Sequence, residues 1–157
     1  MKWMLAVFFI IVCFASALAK TEDLQALSDI LDERIKSRRS DWELLSKQIT
    51  DAAILQWRSA SPEREMYFVL IQNTPSTDAA AKIFSQRFPS QAGNIGIEIE
   101  GVGQEALLYE IKRGAKISIE FREANFIVRL LAPSEPKGRR LAKYVIDSIV
   151  TLQHRKS

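Results

Sequence analysis

The chain has few of the residues that form disulfides, metal sites and nucleophilic centres. It contains one cysteine and one histidine. Cys13 lies in an apolar N-terminal run, and His154 lies in the C-terminal tail, where an exposed side chain holds no fixed geometry for ligation or acid–base catalysis. A disulfide framework, a Cys-His pair and a Ser-His-Asp centre are all excluded from a domain of this composition. The sequence predicts neither a cofactor nor a metal site.

The chain also lacks runs of like charge, internal repeats and low-complexity linkers. Lysine and arginine outnumber aspartate and glutamate by 22 to 19, and the two signs are intermixed along the chain. A surface that binds nucleic acid needs clustered basic residues, so no nucleic acid is expected as a partner. Because 47% of the residues are hydrophobic, we expect residues 20–157 to form a single globular domain with its own core.

The first 19 residues have the pattern of a secretion signal. Lys2 provides a positive charge, Met4–Phe14 is an unbroken apolar run, and Ala17 and Ala19 provide the small side chains that signal peptidase requires. We therefore predict cleavage after Ala19 and export of the mature chain to the periplasm or the extracellular space. In the alternative, residues 3–19 stay uncleaved as a single membrane anchor, although this run is slightly shorter than the roughly 20 residues of a spanning helix.

Hydrophobic periodicity predicts the element order α-α-β-β-α-β-β-β-β-α. The second element is a helix in this order because Ser40–Glu43 has the pattern of a capping box, and a strand is the alternative for the same segment. The predicted helices are Thr21–Arg38, Asp41–Asp51, Ala79–Phe88 and one that begins at Ser134, and the predicted strands are Ala53–Ser59, Arg64–Asn73, Asn94–Glu100 and three within Gly101–Pro133.

The grouping of these elements predicts the fold class. The segment Gly101–Pro133 is predicted to begin with a glycine-rich turn and to continue as three strands that alternate apolar and polar residues. Tight turns join these strands, which is typical of an antiparallel meander. Strands gathered into hairpins, with helices at both ends of the chain, favour an α+β fold. We predict two layers: a mostly antiparallel sheet of about five to six strands, with helices packed on one face.

The C-terminal third of the chain resembles exported bacterial α+β domains of unknown function. Those domains carry a Gly-x-Gly-Asp-Glu-Ala turn, an Arg-x-Gly-Asn type of turn between two strands, and a final amphipathic helix. The matching residues here are Gly101-x-Gly103-Gln104-Glu105-Ala106, then Phe121-Arg122-x-x-Asn125-Phe126, and a last helix containing Leu141-Ala142. Gln104 replaces the acid, and Glu123-Ala124 is expected to widen the second turn. The resemblance implies an exported α+β domain, similar to the sandwich of an extrinsic photosystem subunit, and implies no active site.

Three carboxylates form the cluster that is the strongest candidate for a catalytic or metal-binding role. Glu98 and Glu100 are expected on one face of a strand, with Glu105 shortly after them. Such a pair can serve as general acid and base, or as part of a weak calcium site. The commoner role for carboxylates at this spacing is a solvated sheet face.

The two glycines of this region are better explained by a turn of the backbone than by phosphate binding. A phosphate-binding loop leads from a strand into the N-terminus of a helix, whereas Gly101-x-Gly103 leads into a strand. We therefore expect these glycines to turn the backbone at positive φ.

Two arginines of the meander are expected to form ion pairs. Arg122 and Arg129 can meet on one face of the meander and bind an anion there. Pairing across strands with Glu120 and Glu110 is favoured, because opposite charges on neighbouring strands attract at this spacing.

The leading hypothesis is an exported, non-enzymatic domain that binds a partner protein of the cell envelope or a small ligand. Its binding surface is expected in a pocket beside Tyr67 or on an apolar patch of the N-terminal helices. Trp42 and Trp57 are expected in the core. One alternative is a hydrolase that uses Glu98 and Glu100. Another is a membrane-anchored accessory subunit that retains residues 3–19.

Overall fold

The computed structural model describes residues 2–60, 62–87, 96–111 and 116–157, with residues 2–19 as backbone only. Within these ranges the chain forms three helices and seven strands. The helices are α1 (Lys2–Arg38), α2 (Thr77–Arg87) and α3 (Glu135–Lys156), and the strands are β1 (Trp42–Ile49), β2 (Ala52–Ser59), β3 (Met66–Asn73), β4 (Ile97–Glu98), β5 (Glu105–Ile111), β6 (Lys116–Glu123) and β7 (Phe126–Ala132).

The strands form one antiparallel sheet in the order β1-β2-β3-β7-β6-β5-β4. Two meanders, β1-β2-β3 and β4-β5-β6-β7, meet where β3 pairs with β7. The connection that contains α2 carries the chain from β3 in the middle of the sheet to β4 at its far edge. The predicted α+β class and antiparallel sheet are confirmed, with seven strands rather than five or six.

The larger core lies between one face of the sheet and the helices α1 and α3. The predicted stripes on both helices are buried, because each repeats an apolar residue every three or four positions and so faces the sheet throughout. Each fully buried leucine or isoleucine of this kind contributes about 1.5–3 kcal/mol to folding. The stripes are Leu24, Leu27, Leu31 and Ile35 on α1 and Leu141, Val145, Ile149 and Leu152 on α3, and they pack against Leu55, Trp57, Tyr67, Val69 and Val128 of the sheet.

A polar clamp holds α1 to α3. The guanidinium of Arg34 donates hydrogen bonds to Thr151 Oγ1 at 2.9 Å, to Ser148 Oγ at 3.2 Å and to the carbonyl oxygen of Asp147 at 3.2 Å. Ser148 is fully buried, so this bond satisfies a hydroxyl that faces the core. The Arg34 contacts therefore fix the position of α1 along α3.

The remaining helix, α2, lies on the opposite face of the sheet from α1 and α3, so the helices cover both faces rather than the one face predicted. Its Ala80 and Phe84 form a second, smaller core with Leu107, Tyr109 and Ile127. These sheet residues alternate with Ala106, Leu108 and Val128 of the larger core. As a result the central residues of β5 are buried on both faces, although a meander of alternating strands usually has one face open to water.

The predicted helix Asp41–Asp51 is wrong, and the segment forms β1. The cause is a β-bulge: Leu44 pairs with Trp57 and Ser46 pairs with Gln56, so that Leu45 is an extra residue and is 40% exposed. A bulge breaks the alternation of a strand. Because of it, the apolar residues of β1 have a spacing that mimics a helix.

The predicted strand Asn94–Glu100 is shorter in the structure, where β4 contains only Ile97 and Glu98. Asn94 and Ile95 lie outside the described residues. The alternation of the predicted strand places Ile97 on its apolar face, but the Ile97 side chain is 59% exposed. The reason is that β4 is the last strand of the sheet and pairs with one described strand only.

A half-buried carboxylate, that of Glu65 just before β3, connects this part of the sheet to α3. The Tyr67 hydroxyl donates a hydrogen bond of 2.8 Å to Glu65 Oε2, and Lys137 Nζ contacts Glu65 Oε1. The hydrogen bond from Lys137 is the main cause that lowers the pKa of Glu65, against the opposing effect of burial. Burial is the main cause that raises the pKa of Tyr67, followed by the hydrogen bond to Glu65.

This network makes folding stability depend on pH on the acid side. The pKa of Glu65 is lower in the folded chain than in the unfolded chain, so its stabilisation is present above the unfolded value and is lost as the pH falls through the folded one. We expect Glu65→Gln to lower the free energy of unfolding by about 1–3 kcal/mol at neutral pH and to flatten its decline in acid. Urea unfolding across this pH range measures both effects. Glu22→Gln, at an exposed site, is the control, and an equal acid dependence in wild type and Glu65→Gln would contradict the assignment.

Candidate functional site

The segment between β4 and β5 is a tight loop that we call the hinge, residues Ile99–Gln104. Gly101 and Gly103 have φ values of +77° and +56°, so the predicted positive φ at both glycines is confirmed. The Ile99 amide donates to the carbonyl oxygen of Ala106 at 3.1 Å, and the Gln104 amide donates to that of Arg122 at 2.8 Å. These bonds fold the hinge back onto β5 and β6.

The hinge is anchored on both sides of its turn. Val102 is buried in the larger core, with only 3% of its surface exposed. Gly103 lies so close to β6 that a Cβ atom there would stand 2.5 Å from the backbone oxygen of Arg122. A Cβ atom on Gly101 would meet nothing within 4 Å. Only Gly103 is therefore required by close packing as well as by φ.

A cleft of about 820 Å³ lies between the hinge and α2. We call it the hinge cleft. Its inner wall is apolar, since Phe84, Val102 and Ala106 are all buried in the two cores. Its outer wall is polar and acidic. The described residues that line it are Phe84, Ser85, Glu98, Ile99, Glu100, Gly101, Val102, Gly103, Gln104, Glu105 and Ala106.

All three predicted carboxylates line this cleft. They differ in whether a described cation pairs with them. Glu105 accepts a hydrogen bond of 2.8 Å from Arg122 Nε, and Arg122 Nη1 also holds the side chain of Gln104. Glu98 and Glu100 are exposed and form no ion pair with any described residue. Two carboxylates of the acidic wall therefore have no counter-ion among the residues that the structure describes.

The arginines of the meander form the cross-strand ion pairs that were favoured, with one change of partner. Arg129 Nη2 lies 3.3 and 3.2 Å from the two carboxylate oxygens of Glu120, which is 1% exposed. Arg122 pairs with Glu105 rather than with Glu110, because Arg122 and Glu105 are register partners. Burial is the main cause that raises the pKa of the neighbouring Tyr109.

At the other two predicted locations, the described residues form no open binding surface. Tyr67 is 1% exposed and stacks on Trp42 with ring centroids 3.8 Å apart, so the pocket expected beside Tyr67 is filled by core side chains. Trp57 is also buried, as predicted. The apolar stripe of α1 between Leu24 and Ile35 is covered by the sheet and by α3.

The remaining predicted residues lie apart from the cleft. His154 is in the last turn of α3. Ala17 and Ala19 lie where the structure gives backbone only, in the unbroken helix α1. Among the residues that the structure describes, no group of three or more histidine, cysteine, aspartate or glutamate side chains is placed to hold a metal ion.

Sequence reasoning missed the α2 side of the cleft. Phe84 and Ser85 are separated from the hinge by more than ten residues, and no local pattern links them to it. Their position follows from the second core, which fixes α2 against Leu107 and Ile127. The acidic and glycine-rich wall, in contrast, is continuous in sequence and was found for that reason.

Because Gly101 and Gly103 have different surroundings, we expect substitution by alanine to destabilise the fold to different extents at the two positions. Gly103→Ala forces a methyl group against the Arg122 backbone and also strains φ, so we expect it to lower the free energy of unfolding by about 3 kcal/mol or more. Gly101→Ala meets open space and carries only the φ strain, about 1–2 kcal/mol. Chemical denaturation of both variants measures the difference. Equal destabilisation by the two would contradict the close approach of the hinge to β6.

Comparisons with known proteins add no assignment. No protein-family model, no curated protein and no solved structure matches the chain. Where the structure describes side chains, none of the helices is both long enough and apolar enough to cross a membrane.

Proposed function

We propose that the chain is an exported, non-enzymatic binding domain, and that the hinge cleft is where it holds a small ligand or a segment of an envelope partner. The observation that carries the proposal is the cleft itself. Its volume of about 820 Å³ falls within the roughly 300–1,000 Å³ of ordinary ligand pockets. It also combines an apolar wall with a few polar groups, as such pockets do.

The walls of the cleft indicate what kind of ligand fits. Ile99 is half-buried and offers apolar contact, whereas the side chains of Phe84, Val102 and Ala106 behind it are buried. Glu98 and Glu100 offer negative charge that no described cation neutralises. A ligand with an apolar body and one cationic group complements both walls. An ammonium group placed beside these carboxylates gains a charge-assisted hydrogen bond, and the apolar body gains by leaving water.

The rigidity of the hinge favours binding without a large rearrangement. Val102 is fixed in the core, Gly103 is fixed against β6, and Arg139 Nη1 donates a hydrogen bond of 2.7 Å to the carbonyl oxygen of Glu100. A site whose walls are already ordered loses little conformational entropy when a ligand enters.

A carboxylate-dependent hydrolase is the second candidate, because Glu98 and Glu100 line the same cleft. General acid catalysis by a carboxyl group needs an environment that keeps the group protonated, usually an apolar enclosure. Both side chains are exposed to solvent instead. Binding is therefore better supported than hydrolysis. The other alternative, a membrane-anchored accessory subunit, differs from the proposed binding domain only in whether residues 3–19 are cleaved off.

A matched set of probes tests the proposed complementarity. Hexylamine, hexanol and hexanoate share a six-carbon chain, and differ in the charge of their head groups. We expect hexylamine to shift the backbone amide resonances of the hinge saturably, hexanol to do so more weakly and hexanoate not at all. Amide NMR titration at constant ionic strength measures this order.

Variants separate the acidic wall from general surface charge. Glu98→Gln and Glu100→Gln each remove one exposed carboxylate with little change of shape, and we expect each to weaken hexylamine binding severalfold. Glu110→Gln removes an exposed carboxylate of β5 outside the cleft and is the control. Equal responses to hexylamine and hexanoate, or equal weakening by the control, would contradict the proposed ligand class.

A further inference from the structure

A second pocket lies at the opposite edge of the sheet from the hinge cleft. It is formed where β1 begins and where β2 turns into β3, and its volume is about 270 Å³. We call it the arginine pocket. Its lining residues are Glu43, Arg58, Ser59, Ala60 and Arg64.

The charged groups of this pocket leave an excess of one positive charge. Arg58 Nη2 donates a hydrogen bond of 2.7 Å to Glu43 Oε2 across β1 and β2, so these two charges balance. Arg64 is exposed and has neither an ion pair nor a side-chain hydrogen bond with any described residue. A single anionic group would neutralise the pocket.

The backbone at Arg64 is unusual for an arginine. Its φ of +44° lies in the left-handed region, which costs a residue with a Cβ atom energy and costs glycine none. A turn at this position would be more stable with glycine. Strain of this kind is often associated with a side chain that serves a function. Here the strained residue is the arginine whose charge is paired with no described residue.

Two backbone donors beside the pocket, the amides of Ser59 and Ala60, are already used. The Ser59 amide donates to the carbonyl oxygen of Glu65 at 2.9 Å, and the Ala60 amide donates to that of Asp41 at 2.6 Å. The cationic donors among the described lining residues are the guanidinium groups of Arg58 and Arg64. Arg64 offers all of its donors, and Arg58 offers those that Glu43 does not use.

We propose that the arginine pocket binds the oxyanion end of a small acid, a phosphate or a carboxylate, between Arg64 and Arg58. The planar guanidinium fork matches both groups in a bidentate manner. The volume of the pocket suits such an end group with a few further atoms. This site is independent of the hinge cleft, because the two lie at opposite edges of the sheet.

Inorganic phosphate and acetate are the probes, each titrated at constant ionic strength with chloride as the balancing ion. We expect saturable shifts of the Ala60 and Arg64 amide resonances in the wild-type chain. A stronger response to phosphate assigns the site to phosphoryl groups, and a stronger response to acetate assigns it to carboxylates. The absence of a saturable response to either ion overturns the proposal.

Arg64→Gly is the decisive variant, because it should separate binding from folding. It removes the unpaired guanidinium and relieves the strained φ, so we expect a thermal midpoint no lower than that of wild type and an affinity for the anion at least tenfold weaker. Arg140→Gln removes an exposed arginine of α3 and is the charge control. Undiminished anion binding by Arg64→Gly, or an equal loss in Arg140→Gln, overturns the role of Arg64.

Discussion

The burial of α1 and α3 against one face of the sheet is the interaction on which the rest of the structure depends. The aromatic and aliphatic side chains at its centre, including Trp57, Tyr67 and Leu31, are 0–1% exposed. Cys13 is the chain's one cysteine, so no disulfide within the chain can contribute to stability. Stability must come from apolar burial and from the polar contacts that fix its geometry, such as the Arg34 clamp and the Glu65 network.

Both candidate sites are positioned by this core, although neither lies within it. Val102 attaches the hinge to the larger core, and Phe84 attaches α2 to the smaller one, so the two walls of the hinge cleft are held from opposite faces of the sheet. The arginine pocket depends on the pairing of β1 with β2, which places Glu43 beside Arg58. The packed core thus holds the hinge cleft at one edge of the sheet and the arginine pocket at the other.

The parts of the fold that could be predicted are those that a local pattern determines. The helical stripe from Leu24 to Ile35 and that from Leu141 to Leu152 have the period of a helix, and both helices are found in the structure. In β2 the burial alternates, and Trp57 lies in the core as predicted. In β1 the extra residue Leu45 interrupts the alternation, and the local pattern then favours the wrong element.

The candidate site was predictable only on its hinge side. The carboxylates and the two glycines are neighbours in sequence, and their turn requires positive φ, so residue chemistry was enough to identify them. The α2 wall and the pairing of Arg122 with Glu105 depend on strand register and on packing across the sheet. The expected widening of the turn at Glu123-Ala124 is wrong for the same reason: Glu123 pairs with Phe126, and only Ala124 and Asn125 form the turn.

Native mass spectrometry of the chain recovered gently from its own envelope fraction is the most direct measurement. A binding domain that is exported and processed predicts a chain that begins at Lys20 and carries a reproducible bound component. A full-length chain in the membrane fraction would contradict cleavage and favour the anchored subunit. A processed chain that carries nothing, in repeated preparations, would contradict the binding function.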